Sequence, residues 1–143
     1  MWHSLAHSVV GSAHEKLGES CQDSTRIETF EKDGASYLAV ALSDGAGSAP
    51  RASAGSRFVV DEWCNRIQRI ACLDIHSLQE QAIAIITEIR NALAALADSE
   101  SRPLRDFHCT LLAGLFYEDL CLVLQIGDGA WVLQIADSLQ VAT

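Results

Sequence analysis

Apolar residues in the middle of the chain recur every three to four positions, in two separate stripes. The first consists of Val59, Trp63, Ile67 and Ile70. The second consists of Leu78, Ala82, Ile85, Ile89, Leu93 and Leu96. This spacing is typical of amphipathic helices with one buried face. The segment 77–80 (Ser-Leu-Gln-Glu) matches a capping box and predicts the start of the second helix. We expect the two helices to pack side by side and antiparallel, because residues 70–76 form a short connection.

Shorter apolar runs on both sides of the helices predict strands, over residues 4–10, 25–30, 36–42, 109–116, 120–126 and 130–135. The dipeptide Asp33-Gly34 is a strong hairpin signal, and residues 118–119 and 127–129 are further turns. The polar stretch 98–103 is predicted to be a surface loop. Strands joined by short turns favour antiparallel pairing, and segregated helices favour an α+β fold. We expect one domain over residues 1–143.

Composition narrows the class of protein. Hydrophobic residues make up 49% of the chain and charged residues 20%, which is typical of a globular domain. The net charge of −9 argues against a nucleic-acid partner. The longest apolar segment, residues 82–97, is interrupted by polar and charged side chains, so no membrane span is predicted. The five cysteines lack zinc-ligand spacing, and the chain starts without a signal peptide. These features predict reduced, buried thiols in a cytoplasmic protein.

Two apolar segments end in the same dipeptide, Asp44-Gly45 and Asp128-Gly129. A strand end gives a carboxylate a fixed direction, and glycine lets a backbone carbonyl approach a ligand. Such oxygen donors suit Mg²⁺ or Mn²⁺. Asp23 stands just before a predicted strand and is a third candidate. Each of these acids, taken alone, is better explained by ordinary turn or cap chemistry than by metal binding.

Other chemistries are disfavoured by the same residues. The glycine-rich segment 45–50 follows a strand and precedes a helix, but proline occupies the sixth position of the dinucleotide-binding pattern. The Gly-Lys-Ser/Thr of a phosphate-binding loop is missing as well. No catalytic-nucleophile motif such as Gly-x-Ser-x-Gly surrounds Ser43, Ser48 or Cys109.

Four sequence segments, taken together in their order along the chain, favour metal binding over ordinary turn or cap chemistry. They are residues 14–24 (His-Glu-Lys-Leu-Gly-Glu-Ser-Cys-Gln-Asp-Ser), 39–49 (Ala-Val-Ala-Leu-Ser-Asp-Gly-Ala-Gly-Ser-Ala), 109–113 (Cys-Thr-Leu-Leu-Ala) and 125–130 (Gln-Ile-Gly-Asp-Gly-Ala). The set resembles the motifs of bacterial metal-dependent protein phosphatases of the type 2C family. The resemblance spans nearly the whole chain, with two helices predicted where that family has them.

The resemblance implies a β-sandwich of antiparallel sheets flanked by helices, with two or three Mg²⁺ or Mn²⁺ ions at one end. Asp44 would bridge two ions and the Gly45 carbonyl would bind one of them. Asp23 would lie in or just behind the first shell and hold metal-bound water, and Asp128 would serve a third, weaker ion. The implied reaction is hydrolysis of phosphoserine or phosphothreonine in a protein substrate by metal-activated water, with Asp23 and Asp44 as catalytic residues.

Two departures from the family pattern affect these expectations. The family's phosphate-binding arginine aligns with Gly18, and Lys16, His14 and Arg51 are the candidates to replace it. The chain also stops at Thr143, whereas family domains continue and carry two further metal-binding aspartates. We therefore expect the N-terminal part of a phosphatase domain, incomplete at the C-terminus. It would be inactive alone and inclined to self-associate, or to bind a partner chain, through an open sheet edge.

Two alternatives to a phosphatase remain. The chain could be a catalytically inactive, phosphatase-like interaction module that keeps the fold for binding. It could also be an unrelated α+β domain with two Asp-Gly turns. The sequence identifies neither the phosphoprotein substrate nor the oligomeric state.

Overall fold

The centre of the fold is a four-stranded antiparallel sheet. The computed structural model describes residues 2–10, 21–70 and 74–142. The strands are β1 (Ser24–Lys32), β2 (Ala35–Ser43), β3 (Leu111–Tyr117) and β4 (Leu120–Ile126), and they are hydrogen-bonded in that order. Each neighbouring pair is antiparallel. The predicted α+β class with antiparallel pairing is confirmed.

The β1–β2 turn follows the sequence prediction. Lys32 pairs with Ala35, so Asp33 and Gly34 alone make the connection. Both have positive φ, 52° and 79°, which is the backbone that a two-residue turn needs to match the twist of its strands. Asparagine, aspartate and glycine tolerate this conformation better than other residues. The hairpin at Asp33-Gly34 is confirmed.

Two helices cover one face of this sheet. They are α1 (Ala52–Ile67) and α2 (Ile75–Ser99), followed by a short 3-10 helix (Leu104–Phe107). Helix α1 packs against β1, β2 and β3, and α2 packs against α1 and the 3-10 helix. Nine of the ten predicted stripe residues are buried, with Trp63 and Ile67 fully so; the other seven are Val59, Ile70, Leu78, Ala82, Ile85, Ile89 and Leu93. The tenth, Leu96, is partly buried. Beneath them lie Ala39, Ala41 and Leu115, at most 1% exposed.

The start of α2 differs from the prediction. The helix begins at Ile75, and the Asp74 carboxylate accepts a hydrogen bond from the Ser77 backbone N–H at 2.9 Å. The predicted cap at Ser77 is wrong because an aspartate three residues earlier supplies the acceptor first.

The opposite face of the sheet meets a second, smaller sheet. Strands β5 (Trp131–Ile135) and β6 (Ser138–Ala142) form an antiparallel pair, of which β6 is not predicted by the sequence pattern. The Trp131 ring lies over Gly114, where an added Cβ would be 3.2 Å from it, and is 6.1 Å from the Phe116 ring. This two-stranded sheet is shorter than the second layer of a sandwich, so the sandwich itself stays a prediction.

The predicted strand over residues 4–10 is wrong. Residues 2–10 form neither helix nor strand, and Leu5 and Val9 are 95% and 69% exposed. An apolar run becomes a strand only where a neighbouring edge supplies hydrogen-bond partners. Within the ranges that the structure describes, this segment pairs with no strand.

The cysteines agree with the sequence prediction only in part. Cys21, Cys64, Cys109 and Cys121 are free thiols, but only Cys64 of these four is buried and Cys121 is exposed. Cys72 lies outside the described residues. Among the described helices, none is both long and apolar enough to cross a bilayer.

Candidate metal centre

The candidate aspartates lie at one end of the four-stranded sheet because of its register. Ser24 pairs with Ser43, so Asp23 and Asp44 are the next residues on two neighbouring strand ends. Leu111 pairs with Ile126, which places the start of β3 and the end of β4 at the same end. Asp128 follows two residues after β4. Antiparallel pairing therefore brings together three segments far apart in sequence.

All three aspartates line one cavity of about 310 Å³. The other residues that line it are His7, Ser8, Val9, Ser24, Thr25, Leu42, Ser43, Thr110 and Leu112. Asp23, Asp44 and Asp128 are each exposed to solvent. The cavity is thus open and acidic, and none of its described lining residues is a lysine or arginine.

The Asp44 main chain is fixed on both sides by Thr110. The Asp44 N–H donates to Thr110 Oγ1 at 2.9 Å, and the Thr110 N–H donates to the Asp44 carbonyl at 2.8 Å. The Ser43 hydroxyl donates to the Thr110 carbonyl at 2.5 Å. One step further, Gly45 and Cys109 form an isolated bridge. The backbone at Asp44 is therefore held in place by the residues that lead into β3.

Gly45 lies where the chain segments of Asp23 and Asp44 approach each other closely. A Cβ at this position would be 2.9 Å from the Gln22 carbonyl oxygen and 2.9 Å from the Ala52 carbonyl carbon. Real Cβ atoms essentially never come so close to backbone atoms. Glycine is required here for space, since its φ is not positive.

Asp23 is positioned by a buried serine of α1. The Ser56 side chain is fully buried, and its hydroxyl donates to the Gln22 carbonyl at 2.5 Å. The same hydroxyl lies 3.1 Å from Ser24 Oγ. The residues before and after Asp23 are thus anchored to the helix.

The Asp128 turn has its own support. The Gln125 side-chain amide donates to the carbonyls of Gly127 and Gly129, both at 3.1 Å. Gly127 has φ +93°, in the region that favours glycine, and an added Cβ would be 2.7 Å from Thr110 Cγ2. The turn is therefore held both from its own strand and by contact with Thr110.

Four residues of this site have no role assigned from the sequence: His7, Ser56, Thr110 and Gln125. Thr110 and Gln125 stand inside the segments that carry the resemblance, so a signal for them was present. No sequence signal marks Ser56, whose role depends on a contact 34 residues away. His7 reaches the cavity from the segment wrongly predicted as a strand.

Of the three candidates for phosphate binding, Arg51 is the one within the described residues, and it does not line this cavity. Arg51 forms an ion pair with Glu100 at 2.9 Å, and its guanidinium carbon lies 5.9 Å from the Phe107 ring centroid. It is absent from the residues that line the cavity. Lys16 and His14 lie outside the described residues.

A catalytic thiol is disfavoured by the environment of Cys109. Burial raises the pKa of this thiol, and the hydrogen bond with Ser43 only partly opposes the effect. The neutral thiol is therefore the main form near neutral pH, and a neutral thiol is a poor nucleophile. Cys109 is therefore a weaker candidate than the aspartates, and it does not line the cavity.

The donor set fits a hydrated divalent cation better than a closed metal site. Carboxylate oxygens are the ligands that Mg²⁺ and Mn²⁺ prefer. In the part of the chain that the structure describes, no three His, Cys, Asp or Glu side chains are grouped closely enough to hold an ion. Mg²⁺ usually keeps several waters and takes only one or two protein carboxylates, which agrees with this open arrangement.

Comparison with known proteins identifies the family of the chain. The model of the family described as protein phosphatase 2C matches residues 10–142. The chain is 30% identical over 142 residues to serine/threonine-protein phosphatase 3 of Escherichia coli (strain K12). The matched region is 98% of this chain and 56% of that protein, so the chain spans little more than half of its relative's length. Since the family model covers all but the first nine residues and the last one, this chain belongs to the protein phosphatase 2C family.

Proposed function

We propose that the chain carries part of the catalytic centre of a metal-dependent protein serine/threonine phosphatase. The observation that supports this proposal is the joint lining of one cavity by Asp23, Asp44 and Asp128. These aspartates come from three separate segments, and each lies at a strand end with its own supporting hydrogen bonds nearby.

Electrostatics indicates why cations would be needed. Three carboxylates face the cavity, and its described lining contains no lysine or arginine. A phosphate group would be repelled by this surface unless divalent cations neutralised it. We therefore propose Mg²⁺ or Mn²⁺ as cofactors and phosphoserine or phosphothreonine proteins as substrates.

The proposed roles of the residues follow their positions. Asp44, held rigidly by Thr110, would bridge two ions, and the Gly45 carbonyl would bind one of them. Asp23, anchored through Ser56, would orient water near the phosphate. Asp128 would serve a weaker ion at the mouth of the cavity. When bound, the cations would supply the Lewis acidity that activates water and neutralises phosphoryl oxygens.

We further propose that this chain alone has little phosphatase activity. It matches only 56% of its Escherichia coli relative, and its described residues group too few ligands for a tightly held ion. Weak metal binding and weak water activation would reduce the rate together. A second candidate function, a phosphatase-like module that binds partners without catalysis, would keep the same fold and would need no such group of ligands.

Metal binding and turnover test these proposals. Mn²⁺ binding is measured by electron paramagnetic resonance for the chain, for Asp44→Asn and for the control Asp33→Asn, which lies at the other end of the β1–β2 hairpin. We expect Asp44→Asn to weaken Mn²⁺ binding at least about tenfold and Asp33→Asn to leave it unchanged. Equal binding by all three would refute the metal centre and favour the interaction module.

Hydrolysis of p-nitrophenyl phosphate and of a phosphopeptide is measured in parallel with millimolar Mn²⁺. We expect very slow turnover. Fast Mn²⁺-dependent turnover that Asp44→Asn abolishes would contradict the proposed inactivity, while it would support the role of Asp44.

A further inference from the structure

Thr110 is in contact with both glycine-flanked aspartate segments. Its hydroxyl accepts the Asp44 N–H at 2.9 Å, and its own N–H donates to the Asp44 carbonyl at 2.8 Å. Its methyl group faces the Gly127 backbone so closely that a Cβ on Gly127 would be 2.7 Å away. The Thr110 hydroxyl therefore contacts the Asp44 loop, and the methyl group of the same side chain contacts the Asp128 turn.

The conformation of Thr110 is itself constrained. Its carbonyl accepts a hydrogen bond from the Ser43 hydroxyl at 2.5 Å, and β3 begins at the next residue. Threonine is branched at Cβ, so fixing its hydroxyl on Asp44 also fixes its methyl group toward Gly127. Serine would keep the first contact and lose the second, whereas valine would do the reverse.

We infer that Thr110 is a positioning residue that fixes the spacing between Asp44 and Asp128. The inference rests on the proposed function in one respect only, the assignment of the two aspartates as metal ligands. Their mechanical coupling through Thr110 is a separate statement that can be tested without metal. Supporting groups of this kind commonly change metal affinity 10- to 100-fold when they are removed.

The first test measures backbone amide exchange by NMR in the metal-free chain. In Thr110→Val the Asp44 N–H loses its acceptor, and we expect its exchange to become at least about tenfold faster. In Thr110→Ser that amide should stay protected, while the resonances of Gly127 and Asp128 should shift. Thr29→Val is the matched control, because Thr29 is an exposed threonine of β1 that does not line the cavity.

The Thr110→Ser variant tests whether Thr110 couples the Asp44 and Asp128 segments even if Thr110→Val fails to fold. Faster exchange of the Asp44 amide in Thr110→Ser, or unchanged Gly127 and Asp128 resonances, would overturn the coupling. Unchanged Asp44 exchange in a folded Thr110→Val would overturn it as well.

The second test links the coupling to the metal. We expect Thr110→Val to weaken Mn²⁺ binding about tenfold and Thr110→Ser to weaken it less than about threefold. Equal losses in both variants would contradict a role for the hydroxyl. Mn²⁺ binding that is insensitive to Asp44→Asn would refute the proposed function, and the amide-exchange result would still decide whether Thr110 couples the two segments.

Discussion

Replacement of Gly45 by alanine should separate the segments that carry Asp23 and Asp44. The added Cβ would meet three atoms at 2.9 Å: the Gln22 carbonyl oxygen, the Ala52 carbonyl carbon and the Ala52 Cβ. Two of these belong to the backbone, one before β1 and one in the first turn of α1, so a rotamer change cannot relieve the conflict. The backbone must shift instead, and shifts of this kind typically cost about 1–3 kcal/mol.

Gly47 provides a matched control two residues along the same loop. A Cβ there would meet no atom within 4 Å, and the φ of Gly47 is not positive. Gly47→Ala should therefore change the free energy of unfolding by less than about 0.5 kcal/mol. The two variants differ only in the space around the added methyl group.

The assay is urea unfolding followed by tryptophan fluorescence, with Mn²⁺ binding measured on the same samples. Gly45→Ala should lower the free energy of unfolding by about 1–3 kcal/mol, or the thermal midpoint by roughly 3–10 °C. It should also weaken Mn²⁺ binding, because Asp23 and Asp44 move apart. Unfolding curves for Gly45→Ala and Gly47→Ala that coincide would show that the segments are not packed as described.

Three further predictions concern the core and the thiols. Trp63→Ala removes a fully buried side chain and should lower the free energy of unfolding, measured in urea, by about 3–5 kcal/mol. The control Val132→Ala changes a side chain that is 60% exposed and should alter this free energy by less than about 0.5 kcal/mol. Similar losses in the two variants would contradict the assigned core. Ser56→Ala leaves the Gln22 carbonyl without its hydroxyl donor and should cost about 1–3 kcal/mol, and a neutral effect in the same unfolding assay would argue against this anchor. Burial raises the pKa of Cys64 from 9.0 to about 12, so the folded state keeps a proton that the unfolded state has lost between those pH values. The free energy of unfolding should therefore fall as the pH rises from about 9 to 12. Cys64→Ala should reduce this dependence of the free energy of unfolding on pH. An unchanged slope would refute the raised pKa of Cys64.

Features that depend only on residues close together in the sequence are predictable from the sequence alone. The turn at Asp33-Gly34 requires two residues that tolerate positive φ, and the two residues present do so. Both helical stripes are confirmed, because a period of 3.6 residues is a local property and one face of each helix is buried. The order of the four segments also indicates the family, and the family comparison confirms it.

Sequence patterns are less reliable where two local signals compete or where a partner is required. Asp74 and Ser77 are both able to cap α2, and the helix uses Asp74. Residues 4–10 have the composition of a strand, but a strand needs an edge to pair with, and composition carries no information on that edge. His7 consequently reaches the cavity from a segment without regular structure.

The arrangement of the candidate residues depends on tertiary contacts that no local pattern encodes. Asp23 and Asp44 become neighbours because Ser24 pairs with Ser43, and Thr110 meets Asp44 across 66 residues of chain. Ser56 supports Asp23 only because α1 packs on the start of β1. Such contacts depend on strand register and helix packing, which are fixed by burial over the whole domain and leave no periodic trace in the local sequence.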